Sequence, residues 1–431
     1  MPAMVAMNGM AVQSNDKNWE AIFNADVRFT AFTSTRVFPA VPNNNALAGF
    51  RASGSQFYLP FALSVNGNVS PDFKFESTIR SGYIVTSRQT VAGISGNYSG
   101  TTDTVLSATG TYLGIAGFQP FFSINSNLPT GTPALFGRNI LARLDADIVD
   151  VATFGQGFTV GPTIGANIPI NDNLIGTLSF GYTYVGPFRN EFFTGALGPP
   201  APPFQGMQQL AFGPIPGQRL GSIDPSDSIT GLASLGYSEG PLSLSGSVLY
   251  SVQITDLTRD GIPIVRQGDR IAGDIQATYA FTEDFSASVS GQIVHTNNNL
   301  APGALGPLPL VQQRPNINRT LYRIGIDTSY RVSERLALGP AFSVRYQDRN
   351  AFNPTTLTFL PSSIRYGLGG SAQYTVTDNI SVLGRFERIW LENLRRPDVI
   401  DPLTGLVVLG SGTAGTKTDG YAFAGSVTYR F

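Results

Sequence analysis

Apolar residues recur at every second position in one segment after another along the whole chain. A typical apolar face is Phe57, Leu59, Phe61, Leu63 and Val65. Residues two apart lie on one face of a β-strand, so repeated alternation of this kind indicates strands with one apolar and one polar face. The pattern predicts an all-β protein of about sixteen strands. The predicted strands are 21–36, 55–69, 72–86, 103–113, 115–126, 153–169, 174–188, 227–238, 240–254, 264–281, 284–297, 318–333, 335–350, 363–377, 380–393 and 418–431.

The connections between these strands alternate between tight turns and long loops. Short polar turns rich in glycine and proline follow every other strand. The longer connections include 37–54, 127–152, 189–226, 298–317 and 394–417. Short periplasmic turns and long outer loops are typical of membrane barrels. We therefore predict a transmembrane up-and-down antiparallel β-barrel with both termini on the periplasmic side.

The low charge content favours a membrane barrel over a soluble β-sandwich. Charged residues make up 13% of the chain, against roughly 25% in soluble domains. The mean hydropathy is only +0.03, and no run of about 18 apolar residues occurs, which excludes a helical membrane protein. A net charge of −1 gives no indication of nucleic-acid binding. The absence of cysteine excludes disulfides and thiol chemistry.

The alternation starts only after residue 18. Residues 1–18 are predicted to be an N-terminal segment, either the remnant of a signal peptide or an unstructured start. Residues 19–431 are predicted to form a single barrel domain. Four prolines fall inside predicted strands, where each removes a hydrogen-bond donor that a closed barrel needs. We expect β-bulges or shifted strand ends at Pro60, Pro120, Pro162 and Pro340.

The last strand alternates aromatic and small residues up to the final position. Its apolar face is Tyr421, Phe423, Val427, Tyr429 and Phe431, interrupted by Gly425. This ending resembles the C-terminal β-signal of Gram-negative outer-membrane proteins. The resemblance implies a location in the bacterial outer membrane, among its lipid and lipopolysaccharide. It also implies the barrel assembly machinery as a partner during insertion.

A second stretch, 99–132, ends in the sequence LPTGT. It resembles a hairpin of outer-membrane transporters of the phenol-degradation-pathway family. The resemblance covers these residues alone. It implies the uptake of small solutes, aromatic ones among them.

The residues give little support for catalysis. The one histidine, His295, has no recognisable serine or aspartate partner nearby in sequence, and it is better interpreted as an interfacial side chain at a strand end. No metal-binding spacing such as HExxH occurs, and the glycine cluster 367–372 precedes no predicted helix. We expect no enzymatic activity, no metal and no cofactor.

If the apolar face of each strand contacts lipid, the opposite face lines the interior. The charged residues predicted there are Arg28, Lys74, Glu76, Arg80, Arg270, Asp274, Arg323, Asp327, Arg345, Arg385 and Glu387. A barrel of about sixteen strands leaves room for an aqueous channel, and rings of arginine favour anions. The same arginines could instead pair with carboxylates and brace the wall, and the two roles are compatible.

The long loop 127–152 carries apolar residues at helical spacing, namely Leu135, Leu141, Leu144 and Ile148. Arg138, Arg143, Asp145 and Asp147 occupy its other faces. A short helical loop in this position resembles the constriction loop of general porins, which folds into the lumen. The alternative is that it packs over the outer mouth.

These features predict a passive, porin-like channel for small solutes with a leaning towards anions. One alternative is selective uptake of apolar or aromatic molecules, with the apolar loop 189–226 as a lid. Another is a plugged barrel that binds a partner protein. Association into a homotrimer is left open.

Overall fold

The computed structural model describes residues 19–37, 51–89, 94–193, 218–303, 306–353, 359–394 and 415–431. Among these residues no helix is long and apolar enough to cross a membrane. The strands, in chain order, are β1 (Trp19–Val37), β2 (Arg51–Ser70), β3 (Phe73–Gln89), β4 (Ser95–Thr101), β5 (Thr104–Tyr112), β6 (Gln119–Leu128), β7 (Thr159–Asn171), β8 (Leu174–Val185), β9 (Phe188–Phe193), β10 (Gln218–Asp224), β11 (Ser228–Glu239), β12 (Leu242–Gln253), β13 (Leu257–Arg259), β14 (Ile262–Val265), β15 (Arg270–Ala280), β16 (Phe285–Thr296), β17 (Leu300–Gly303), β18 (Gly306–Gln312), β19 (Leu321–Ser333), β20 (Leu336–Gln347), β21 (Ser363–Thr377), β22 (Ile380–Asn393) and β23 (Gly415–Arg430).

The main sheet closes on itself as an antiparallel barrel of 16 strands. Each barrel strand pairs with the next along the chain, and β23 pairs with β1 to complete the ring. All the predicted strands are present, and the predicted fold class is confirmed. The boundaries differ most at β7 and β15, which begin at Thr159 and Arg270 rather than at 153 and 264, because the residues before them belong to the preceding loops.

The fourth barrel position holds two strands in series. β4 and β5 both pair with β3, and only residues 102–103 separate them. Across this break the outward-facing positions change from odd numbers to even ones, since Ser99 lies opposite Val85 while Leu106 lies opposite Ile79. The sequence analysis missed β4 because its residues, SGNYSGT, offer no alternating apolar face.

The in-strand prolines are accommodated by gaps in the ladders rather than by bulges. Pairing between β1 and β2 omits Leu59 and Pro60, and pairing between β7 and β8 omits the segment around Pro162. The β19–β20 ladder likewise skips Pro340. Pro120 lies beyond the last β5 partner of β6. The register is kept across Pro60, Pro162 and Pro340, so the expectation of bulges or shifted ends was wrong at these three positions. At Pro120 it was right, because β6 begins at Gln119 rather than at 115 and Pro120 therefore lies at a shifted strand end.

The outer surface of the barrel is apolar over most of its height. Side chains such as Ile164, Leu178, Ile275 and Ile324 are more than half exposed to the surroundings of the protein. Exposed large aliphatic and aromatic residues on alternate positions of a closed barrel form the band that contacts lipid acyl chains. The protein is therefore a transmembrane β-barrel of the outer-membrane type.

Several long connections carry further structure beyond the barrel wall. β9, β10, β13 and β14 form a four-stranded sheet, and β17 pairs with β18 as a hairpin. The predicted loop 189–226 contributes β9 and β10, while residues 194–217 lie outside the described residues. The proposed apolar lid therefore stays a prediction.

Candidate functional site

The polar face of the strands points into the barrel. Arg385 on β22 donates to Asp327 on β19 over 3.4 Å, although β20 and β21 lie between them. Side chains of non-neighbouring strands meet in this way only on the concave side of a curved sheet. Ser343 on β20 likewise donates to Glu387 on β22 at 2.8 Å. Gly367 of β21 lies directly below this contact, and a Cβ there would overlap the carboxylate of Glu387.

Residues 129–158 leave the wall after β6 and are held by Asp103 at the break between β4 and β5. The Asp103 carboxylate accepts hydrogen bonds from the backbone N–H of Gly131 at 2.9 Å and of Gln156 at 2.8 Å. The Asn127 amide donates to it at 2.7 Å. Both ends of the loop are thereby fixed to one carboxylate. The stretch that resembles the phenol-pathway transporters, 99–132, is mostly the hairpin of β5 and β6, and Asp103 and Gly131 near its two ends meet in this hydrogen-bonded base.

The loop packs its apolar side chains against inward-facing residues of the wall. Leu135, Ala142 and Phe154 bury themselves against Ile84 of β3, and the Phe154 ring stacks on Tyr98 of β4 at 4.4 Å. A second buried cluster joins loop and wall on the other side of the loop. It comprises Phe32, Leu144, Ile148, Val149 and Leu391. The loop therefore lies inside the barrel, and its apolar contacts run along the arc from β22 through β1 to β4.

Polar contacts fix the same loop to the wall. Gln56, which is 2% exposed, exchanges two hydrogen bonds with the backbone of Val151, at 2.6 and 3.2 Å. Arg28 pairs with Asp150 at 3.5 Å and with Asp26 at 2.8 Å. Such paired and hydrogen-bonded groups give the loop one defined position.

The four charged loop residues predicted for the constriction have different surroundings. Asp147 forms an ion pair with Arg345 of β20 at 2.5 Å, and both side chains are largely buried. Arg143 donates to the backbone oxygen of Pro133 at 2.6 Å, while Arg138 is exposed. Asp147 thus contacts a wall arginine directly and does not face it across an opening.

The helical spacing in the loop corresponds to a single short 3-10 helix. It runs from Gly137 to Ala142, and the flanking residues Phe136 and Arg143 are extended. The predicted short helical element is therefore present only over residues 137–142, and Leu135, Leu144 and Ile148 lie outside it. The four apolar residues that suggested a helix are nevertheless all buried against protein.

Asp145 lies beside Asp147 at the tip of the loop. Its carboxylate accepts a hydrogen bond from the Asp147 backbone N–H at 2.9 Å. Desolvation within the barrel raises the pKa of Asp145, and the negative charge of Asp147 raises it further. The positive charges of Arg345 and Arg88 act in the opposite direction. Asp145 therefore takes up a proton more readily than an aspartate in water.

A row of arginines crosses the inner wall next to the loop. Arg323, Arg345 and Arg365 lie directly opposite one another on β19, β20 and β21. Like charges in such positions destabilise a sheet unless they are compensated. Asp147 compensates Arg345, and Glu387 pairs with Arg365 at 3.1 Å. Within the described part of the chain, Arg323 has no ion pair and no side-chain hydrogen bond.

Unused donors accompany this row. The Nε atoms of Arg270, Arg345 and Arg365 are buried and have no hydrogen-bond partner among the described residues. Buried donors are normally satisfied by protein or by ordered water. Ordered water is therefore the expected partner of these three Nε atoms.

The other predicted pore residues also lie at inward-facing positions of their strands, but at other levels of the barrel than the arginine row. Lys74 and Glu76 pair with each other at 2.7 Å on β3. Asp274 accepts a hydrogen bond from Ser247 at 2.6 Å, and Arg80 is exposed. Whether these side chains contact a permeating solute stays a prediction.

The strands of the inner wall that residues 129–158 do not contact are rich in small hydroxyl side chains. Examples on neighbouring strands are Ser247 of β12, Thr278 of β15 and Ser288 of β16, and the last two hydrogen-bond at 2.7 Å. Small polar side chains give a wide and hydrated wall. The interior thus combines a loop-covered arc, an arginine row at its edge and a hydroxyl-lined arc.

The sequence analysis omitted three residues of this interior. Arg365 stands between the outward-facing residues Ile364 and Tyr366, so the same parity rule could have found it. Gln56 and Asp103 carry no local sequence feature that marks them as anchors for a loop tens of residues away.

His295 lies at the end of β16, where its Nδ1 is 2.9 Å from the hydroxyl oxygen of Thr320. It pairs with Ile271, which is exposed on the outer surface. His295 therefore belongs to the outward face, away from the arginine row.

The C-terminal residues close the barrel. Tyr421, Phe423, Val427 and Phe431 are about half exposed on the lipid side, and the Phe431 backbone N–H donates to Ala21 at 2.9 Å. The Phe431 ring meets Tyr429 edge to face at 4.4 Å. The role of this segment as an assembly signal stays a prediction.

Fold and interior together define an outer-membrane β-barrel with a polar, loop-containing lumen, the architecture of outer-membrane channels. No family model and no curated protein matches the chain. Solved structures that resemble it are outer-membrane barrels. A FadL homologue of Pseudomonas aeruginosa is 9% identical with a TM-score of 0.43, over 96% of this chain and 90% of the other.

Two further structures are similar to the same extent. The toluene transporter TodX of P. putida is 12% identical with a TM-score of 0.37, over 97% and 91% of the two chains. OccK5 (OpdH) of P. aeruginosa is 10% identical with a TM-score of 0.40, over 95% and 98%. At this level of sequence identity and TM-score, the similarity does not indicate which solutes pass through the present barrel.

Proposed function

We propose that the protein is a passive channel through which small hydrophilic solutes cross the outer membrane, with a preference for anions. The observation that carries the proposal is the arginine row beside the internal loop. Among the described residues, three arginines in register have two carboxylate partners between them, Asp147 and Glu387. The uncovered wall opposite is polar and small enough in its side chains to leave a water-filled path.

The loop supplies the constriction in this proposal. It covers one arc of the wall, so solutes pass between its surface and the hydroxyl-lined arc. Selection then depends on the width of this path and on the charge at its edge, and it involves no bond chemistry. Of the row, Arg323 contributes most, because it is the member without a carboxylate partner among the described residues.

The size of the charge effect follows from Coulomb's law. In water, a unit charge about 5 Å from a permeating ion changes its energy by roughly 0.8 kcal/mol. This corresponds to a roughly fourfold change in the local concentration of a monovalent anion. Salt screens the effect, so it is largest at low ionic strength.

Planar-bilayer recording tests both parts of the proposal. We expect discrete conductance steps in KCl and, across a KCl gradient, a reversal potential on the anion-selective side. Arg323→Ala should shift that potential towards cation selectivity, whereas Arg80→Ala, another inner-wall arginine at a different height, should shift it less.

Folded protein without conductance steps would refute the channel itself. Conductance steps combined with a cation-selective reversal potential that Arg323→Ala leaves unchanged would refute only the anion preference.

A further inference from the structure

The short turns at one end of the barrel carry a carboxylate ring. Seven such turns join neighbouring strands at the end that faces the periplasm, namely 71–72, 113–118, 172–173, 240–241, 281–284, 334–335 and 378–379. Six of them hold or adjoin an exposed carboxylate, and Arg335 is the one basic residue within them. The carboxylates are Asp72, Asp172, Glu239, Glu283, Asp284, Glu334 and Asp378. Because these turns follow the rim of a closed barrel, the carboxylate ring surrounds the periplasmic mouth.

Basic side chains at the same end neutralise the carboxylate ring only in part. Arg331 of β19 lies 4.0 Å from Asp284, and Arg430 is the last residue of β23. With Arg331, Arg335 and Arg430 counted, three basic residues stand against the seven carboxylates, so these ten groups carry a net charge of −4. The N-terminal residues 1–18 contain one aspartate and one lysine, which leave this balance unchanged.

The rest of the chain has the opposite sign. The whole protein has a net charge of −1, so all groups outside these ten sum to +3, wherever each of them lies. Part of this positive charge is the arginine row, which stands near the other ends of the strands. Arg323 is the third residue of β19, and Arg345 is the third from last residue of β20. The barrel therefore has a positive zone near its long loops and a negative zone at its turns.

The two charged zones are far enough apart to act independently. Eleven positions separate Arg323 from Glu334 in the turn that follows β19. They correspond to roughly 25–30 Å along the barrel axis, at about 3.4 Å per residue and a strand tilt of about 40°. The Debye length is about 10 Å at 0.1 M salt, so each zone governs the ions at its own mouth. Between the zones, β15 and β16 present small uncharged side chains such as Thr278 and Ser288.

Opposite charges at the two ends of a pore make its conductance depend on the direction of the voltage. A positive zone concentrates anions at its own mouth, and a negative zone concentrates cations at the other mouth. When the voltage drives anions in from the long-loop side and cations in from the turn side, each ion enters through the zone that attracts it. Under the reverse voltage each ion meets the zone that repels it, and the middle of the pore is depleted of ions.

We infer that the protein is a rectifying channel, which conducts anions more readily from the long-loop mouth to the periplasmic mouth than in the reverse direction. The inference rests on the proposed function, because it requires an open pore. It gives a role to carboxylates that strand pairing does not require. Asp172, Glu334 and Asp378 are exposed, and their side chains form no ion pair or hydrogen bond among the described residues.

Planar-bilayer recording of the full chain in symmetrical KCl tests the inference. At about 50 mM KCl, we expect the current to be at least about 1.5 times larger when the turn side is positive than at the opposite voltage. At about 1 M KCl, where the Debye length is about 3 Å, the ratio of the two currents should approach one. Orientation is read from Glu334→Cys, because a maleimide polymer too large for the pore alters the current only from the chamber that the turns face.

The triple variant Asp172→Asn, Glu334→Gln, Asp378→Asn removes three charges of the carboxylate ring and changes no residue of the inner wall. Its current ratio at about 50 mM KCl should fall to near one. Asp224→Asn is the matched control, since Asp224 is an exposed carboxylate of β10 on the long-loop side, and it should not lower the ratio. Heat-dependent migration in gels shows that each variant is folded.

Conductance steps with equal currents at opposite voltages would overturn the inference and leave the channel itself standing. A larger current with the turn side negative, or an unchanged ratio in the triple variant, would overturn it as well. Folded protein without conductance steps would refute the proposed channel, and the rectification with it.

Discussion

Replacing Phe154 with alanine should release the internal loop from the wall without unfolding the barrel. Phe154 is 1% exposed, stacks on Tyr98 and packs against Ile84, Leu135 and Ala142. Removal of a buried phenylalanine ring costs about 3–5 kcal/mol. This free-energy cost weakens the docking of the loop and not the barrel itself, because the strand pairing of the barrel does not involve this side chain. At roughly 1.4 kcal/mol per factor of ten, the population of undocked loop should rise by at least about a hundredfold.

Limited trypsin digestion measures that population. The loop contains Arg138 and Arg143 as cleavage sites, and when closing is fast the rate of cleavage follows the open population. We expect Phe154→Ala in detergent micelles to speed cleavage at these two sites by about two orders of magnitude. Phe136→Ala is the matched control, since Phe136 is 51% exposed in the same loop. Equal rates for the two variants, or no change in Phe154→Ala, would refute the docked position of the loop.

Three further outcomes are expected. Gly367→Ala should destabilise the barrel by about 1–3 kcal/mol in urea unfolding, because its methyl group would displace the Glu387 carboxylate; Gly231→Ala, with open space around it, should not. The pKa of Asp145 is raised in the docked loop, so docking of the loop should strengthen as the pH falls through that raised pKa. Open-channel current noise should therefore decrease as the pH falls. Asp145→Asn should abolish this pH dependence. Phe431→Ser should lower the amount of protein inserted in cells while purified chains refold normally in detergent; equal insertion would argue against the terminal residue as an assembly signal.

The strands could be predicted from the sequence because period-two alternation is a local property that a closed barrel enforces on every strand. The strand β4 was missed where small polar residues replace the apolar face. The position of the loop could not be predicted, because it depends on contacts such as Gln56 with Val151, which are 95 residues apart. The alternation of inward-facing and outward-facing positions predicted most of the charged residues of the interior. It did not predict their ion pairs, which leave Arg323 without a carboxylate partner among the described residues.

Thiol labelling of single-cysteine variants tests the central claim most directly, since the chain contains no cysteine of its own. Ser290 and Val289 are neighbours on β16; Val289 is 50% exposed on the lipid side, and Ser290 lies on the opposite face. In lipid vesicles, a water-soluble and membrane-impermeant thiol reagent should modify Ser290→Cys and leave Val289→Cys unmodified. Labelling of Val289→Cys, or no labelling of Ser290→Cys in the folded protein, would contradict a water-filled channel lined by the polar face of the strands.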